Sequence, residues 1–168
     1  MGNQLGAHQW YPRQVLRLGT CGSPDELRKA IMVKRCVIGG RASEILERMP
    51  ISQRKIRVKI VETLVTELGF KNGGRLAEIF FAAKDQGLEL CPAEVGPQRC
   101  LQSENCRTDE ELYIAMKPVV STSGLLCSFR VCQFNSRPSL RHYFAAPGFF
   151  CQPDYLVAFV LPKSWEQG

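Results

Sequence analysis

Four residue types in this chain could build a nucleophilic site. Cys91 and Glu94 stand in the stretch Leu90-Cys91-Pro92-Ala93-Glu94, with His142 and Asp154 downstream. A cysteine attacks as its thiolate, so it needs a base within reach or a lowered pKa. His142 is the imidazole that could serve Cys91, with Asp154 to orient the ring, and Glu94 is the alternative base. Such a set would suit a small hydrolase or transferase. The same residues have a plainer reading. A chain with eight cysteines offers many such triples, and most structural thiols are buried and inert. A glutamate in a proline-bounded loop more often accepts backbone N–H groups or pairs with a basic residue than works as a base.

Other chemistry is poorly represented. No Cys-x-x-Cys pair occurs, and the tightest cysteine spacings are Cys127/Cys132 and Cys100/Cys106. Neither is a zinc spacing, so no metal and no cofactor is expected. Gly39-Gly40 lacks the Gly-Lys-Ser/Thr of a phosphate-binding loop and reads as a turn. Asp109-Glu110-Glu111 reads as a charged turn running into a strand. Consecutive strand residues point to opposite faces, so Glu110 and Glu111 do not share a substrate. Basic residues are sparse around Phe149-Phe150 and His142-Tyr143-Phe144, which favours core packing over base stacking.

The second candidate is electrostatic. Basic and β-branched residues alternate in Arg54-Lys55-Ile56-Arg57-Val58-Lys59-Ile60-Val61. That pattern predicts a strand that begins half exposed and ends buried, with Arg54, Lys55, Arg57 and Lys59 available to a polyanion. The same charges would also suit an edge strand guarded against aggregation. The wider distribution agrees with a basic surface. Residues 1–84 carry 15 basic and 7 acidic residues, net +8, and residues 85–168 carry 7 and 9, net −2. Such an asymmetry points to nucleic acid or an acidic protein as partner.

Composition bounds the rest. The chain has 168 residues, 45% of them apolar and 23% charged. These are the proportions of a packed domain, and they exclude a disordered chain or a rod. No apolar run approaches the ~20 residues needed to cross a bilayer, so no membrane partner is expected. The start Met1-Gly2-Asn3-Gln4-Leu5-Gly6 has neither the apolar core of a secretory signal nor the Ser or Thr of a myristoylation site. Reduced cysteines and a cytoplasmic location are therefore expected.

These residues must be positioned by recognisable elements. Residues 1–22, interrupted by Gly2, Gly6, Gly19 and Gly22, read as a flexible lead-in. Ser23-Pro24-Asp25-Glu26 is an N-cap, a first-turn proline and a capping-box glutamate. It opens a helix to about Lys34 whose buried stripe is Leu27, Ile31 and Ala30. A second helix spans about Arg41 to Arg48 on Ala42, Ile45 and Leu46, and Pro50 stops it. A third runs from Arg75 to Gln86 on Leu76, Ile79, Phe80 and Ala83, ended by Gly87. The basic strand, this helix and a short strand at Leu88-Glu89-Leu90-Cys91 predict a right-handed parallel crossover. Strands near 98–103, 111–119, 125–134, 139–145 and 155–161 predict an antiparallel meander. The fold class is α+β: a helical region at 1–50 with its lead-in, then an α+β domain at 51–168.

The block Gly87-Leu88-Glu89-Leu90-Cys91-Pro92-Ala93-Glu94-Val95-Gly96-Pro97-Gln98 resembles a family of small bacterial proteins carried as hypothetical, with no established function. Leu68-Gly69-Phe70, Ala77-Glu78-Ile79, Ile114-Ala115-Met116-Lys117-Pro118, Pro153-Asp154 with Phe159-Val160, and the helical segments around 26–29 and 42–46 extend the resemblance over most of 24–162. Against that pattern, Glu111, Cys151 and Val157 stand where Trp is expected, and Ser103 where Tyr is expected. Losing large buried rings implies a less well packed sheet, so an alternative reading is a divergent copy that has lost its family's function. The residues themselves favour a non-enzymatic binding module over an enzyme.

Overall fold

A computed structural model of the chain describes residues 9–103 and 110–163. The first eight residues of the expected lead-in, Cys106 and Asp109 lie outside them. The fold is α+β. Ten strands and four helices are described: β1 (Gln14–Leu18), α1 (Pro24–Val33), β2 (Val37–Ile38), α2 (Gly40–Arg48), β3 (Ile56–Leu64), β4 (Gly74–Arg75), α3 (Leu76–Asp85), α4 (Val95–Gln102), β5 (Leu112–Ile114), β6 (Val119–Val120), β7 (Leu126–Phe134), β8 (Arg137–Phe144), β9 (Phe150–Cys151) and β10 (Leu156–Leu161). A 3-10 turn at Val65–Leu68 follows β3.

Eight strands form one mixed sheet in the order β1-β3-β10-β5-β7-β8-β2, with β6 also paired to β7. β4 and β9 make a separate two-stranded ribbon. Alternate residues of a strand face opposite sides, and here the two sides feed two cores. Leu16, Leu18, Ile60, Ile114, Phe129, Leu140 and Ala158 pack with Leu27 and Ile31 of α1, Ala42, Ile45 and Leu46 of α2, and Val95 and Cys100 of α4. Val61, Tyr113, Tyr143, Val157 and Phe159 pack with Leu76, Ile79 and Ala83 of α3.

The first three helices form where capping and periodicity place them. Ser23 accepts the Glu26 N–H at 3.2 Å, but the Glu26 carboxylate takes the Gly22 N–H at 2.7 Å rather than that of Ser23. Gly87 ends α3 at φ 89°, a left-handed conformation that a side chain would strain. The tight β7–β8 hairpin turns on Asn135 and Ser136, both with positive φ (51° and 62°), as a two-residue turn matched to strand twist requires.

Four expectations are corrected. The lead-in contains β1, which pairs antiparallel with β3, and Trp10 before it donates its indole N–H to Gln86 O at 3.0 Å. The segment 98–103 belongs to a helix. Pro97 falls in its first turn, where a missing N–H is harmless, and Glu94, Gln98 and Gln102 recur at a helical spacing of four. The predicted crossover is absent. Both neighbours of β3 run antiparallel to it, and the 88–91 segment makes an antiparallel bridge at Glu89–Val160 and a parallel one at Cys91–Met116. Nor is the last third a pure meander, since β10 runs parallel to β5. Residues 1–50 supply strands to both ends of the same sheet, because β1 and β2 are its outermost members.

Candidate functional site

The Cys-Pro-Ala-Glu-Val-Gly-Pro block lies at the centre of the first core. Cys91, Ala93, Glu94, Val95, Gly96, Pro97 and Gln98 are all buried. The Cys91 N–H bonds Ala115 O at 2.6 Å, and its thiol donates to Ala158 O at 3.3 Å. Burial pushes that thiol well above the usual cysteine range, the reverse of what a nucleophile needs. Gly96 lets α4 sit directly on β7. A Cβ there would come within 2.8 Å of Phe129 Cβ.

Glu94 is a tie between loops. Its Oε2 accepts the Gly19 N–H at 2.7 Å and the Gln98 amide at 2.9 Å, and its Oε1 accepts the Ser52 N–H at 2.9 Å. A carboxylate so occupied is an acceptor held in place, near the favourable end of the α4 dipole. His142 stands on β8 opposite Phe129, its ring edge-on to Phe144 at 4.9 Å. Burial, and then the charges of Arg41, Arg130 and Arg141, hold its pKa below the usual imidazole value. Asp154 is exposed. No hydrogen bond among the described residues joins Cys91, Glu94, His142 and Asp154.

All seven cysteines of the described residues are free thiols. Alkylation of the native protein at neutral pH is expected to label the partly exposed Cys21 first. Cys91 should react roughly a thousandfold more slowly or worse, since its labelling waits on unfolding. Mass-resolved time courses check this. Fast labelling of Cys91 would restore it as a nucleophile.

The basic residues are arranged differently. Arg54, Lys55, Arg57 and Lys59 are all exposed. Arg57 and Lys59 lie on the sheet face that α3 covers only further along, where Val61 and Thr63 become buried. The β1–β3 register sets Arg17 opposite Arg57 and Val15 opposite Lys59. Side chains at directly opposed positions have Cβ atoms about 5 Å apart, and like charges there repel. Among the described residues no carboxylate comes within ion-pair distance of Arg17, Arg54, Lys55, Arg57 or Lys59. Four cations elsewhere do have carboxylate partners: Arg28 with Glu47, Lys29 with Asp25, Arg99 with Glu62 and Arg130 with Glu111.

Glu94 ties the two strands together at one end. Gly19 ends β1 and Ser52 precedes β3, and one carboxylate holds both backbones. Gly19, at φ +74°, lies so close to Arg54 that a Cβ would fall 2.2 Å from its carbonyl oxygen. On the free edge of β1, the Gln102 side chain accepts the Arg17 N–H at 2.9 Å and donates to Arg17 O at 2.7 Å. It thus stands where a further strand would pair.

Arg17 is the functional candidate that sequence reasoning missed. Its signal was the alternation of Gln14, Leu16 and Leu18 against Val15 and Arg17, stopped by Gly19, hidden in a stretch that reads as glycine-broken. No family model, curated protein or solved structure matches the chain.

Proposed function

We propose that this protein is a non-enzymatic binding module whose exposed β1–β3 face engages a polyanionic partner, nucleic acid or an acidic protein. The observation that carries the reading is the Arg17–Arg57 opposition, flanked by Lys59, Arg54 and Lys55, with no carboxylate within ion-pair distance of them among the described residues. Two arginines forced together by register raise the local positive potential at a cost in stability, and an anion bound there relieves it. The hydrolase or transferase reading at Cys91 or Glu94 has no comparable support. Its thiol is bonded to a carbonyl and its carboxylate is committed to three donors. Free thiols fit a reducing cytoplasm, and we retain the bacterial-family resemblance as part of this reading, carried by the block that packs α4 onto the sheet.

The test is binding of fluorescent polyglutamate and of single-stranded DNA across a salt series. Affinity is expected to fall as salt rises, with a log–log slope of about −3.5 for DNA if the five cations engage it, at about 0.7 per contact. Arg17→Ala/Arg57→Ala/Lys59→Ala is expected to weaken binding by roughly tenfold or more and to flatten the slope by about 2. All three residues are exposed, so the fold is expected to survive. Binding of neither probe, or equal binding by the triple variant, would overturn the proposal.

A further inference from the structure

The basic strip borders an open groove of about 510 Å³. Val15, Leu161 and Pro162 line it with apolar surface, and Arg57, Lys59 and Lys163 line it with positive charge. Among the described residues, Glu89 is its one acidic lining residue. Val15 is 49% exposed, a large aliphatic side chain left open to solvent beside Lys59. The volume is that of a ligand-binding cleft, and its chemistry is divided: aliphatic surface with three cations around it.

That division discriminates between polyanions. Single-stranded nucleic acid is held by bases stacking on aromatic rings along a basic track, and among the described residues no aromatic side chain lines this groove. An acidic protein segment with aliphatic side chains between its carboxylates matches both surfaces at once. It would lie on the sheet face rather than extend the sheet edge, because the Gln102 side chain already occupies the Arg17 backbone groups.

We propose that the groove takes an extended, acidic and aliphatic segment of a partner protein. Its aliphatic side chains rest on Val15, Leu161 and Pro162, and its carboxylates meet Arg57, Lys59 and Lys163. This rests on the polyanion reading above and names the partner class for the same face.

The experiment compares three labelled probes at moderate salt: a peptide alternating Glu with Leu or Val, polyglutamate of equal charge, and a thymidine oligonucleotide. The alternating peptide is expected to bind about tenfold tighter than polyglutamate, since each buried aliphatic side chain adds to the charge term. Val15→Ser is expected to weaken the peptide about fivefold and leave polyglutamate unchanged. Pro162→Ser, at the other side of the groove, gives the same readout should Val15→Ser disturb β1. Equal binding of peptide and polyglutamate, or indifference of the peptide to both substitutions, overturns the groove while leaving the polyanion reading standing. Tighter binding of the oligonucleotide overturns the partner class. Sedimentation showing a second copy that excludes the peptide overturns it too, and binding of no probe overturns both readings.

Discussion

Glu94→Ala is expected to lower the unfolding free energy by about 3–5 kcal/mol, the largest effect of any single polar substitution in this chain. Glu94 is 1% exposed and accepts from Gly19 N, Ser52 N and the Gln98 amide. Removing the carboxylate strands these donors, each at about 1–3 kcal/mol when it remains buried. Part of that loss is recovered because Gly19 and Ser52 belong to partly exposed loops that water can reach. With a denaturant slope of about 2 kcal/mol per molar urea, the unfolding midpoint should drop by about 2 M. Glu94→Gln tests the mechanism more finely. Its amide can accept from one loop but turns an N–H toward the other, so roughly half the loss is expected. The variant should also weaken polyanion binding while still folded, because the carboxylate joins the end of β1 to the approach of β3. A midpoint change under about 0.5 M for the alanine variant would remove Glu94 as the tie. Normal stability with loss of a hydrolytic activity would instead make it catalytic.

Arg99→Ala is expected to be nearly as damaging, at about 3 kcal/mol. Arg99 of α4 pairs with Glu62 of β3 at 2.8 Å, with side chains 16% and 7% exposed. The same guanidinium donates to Ser103 Oγ at 2.6 Å and to Gln14 Oε1, so it joins α4 to both β1 and β3. Taking two charges out of water is expensive, and the attraction between them roughly offsets that cost. Removing one partner leaves the other buried and uncompensated. Glu62→Leu/Arg99→Met, which removes both charges and keeps the volume, is therefore expected to recover most of the stability. Chemical denaturation of the two single variants and the double closes the cycle. If the double variant is no more stable than Arg99→Ala, the arginine acts through its hydrogen bonds to Gln14 and Ser103, and the ion pair is incidental.

The expected loss of rings from the sheet has a specific outcome at two positions. Cys151 and Val157 both lie in the second core, at 2% and 1% exposure. Around them Tyr113 stacks on Tyr155 at 4.6 Å and meets Tyr143 edge-on at 5.2 Å. The Cys151 thiol is pushed up to about 11 by burial. Glu111, in contrast, is exposed and pairs with Arg130, so a ring there would not have been core.

What the sequence by itself determined was local. Ser23, Pro24 and Glu26 start α1 because capping groups lie within one helical turn of what they cap. Leu27 and Ile31, then Ala42, Ile45 and Leu46, face inward because the helical repeat puts them on one side. Arg57 and Lys59 are exposed and Ile60 buried because the strand period is two. The electrostatic candidate was legible for the same reason, since alternation along one strand already separates its charges from its core residues. Other features needed the folded chain, because they depend on pairings across 33 to 75 residues. Register placed Arg17 against Arg57, which no pattern within either strand encodes. Only the folded chain brings Gly96 of α4 onto Phe129 of β7. Glu94 became a buried tie because Gly19 and Ser52 arrive beside it from opposite ends of β1 and β3. A polar side chain's role is set by what surrounds it, and only tertiary structure supplies the surroundings.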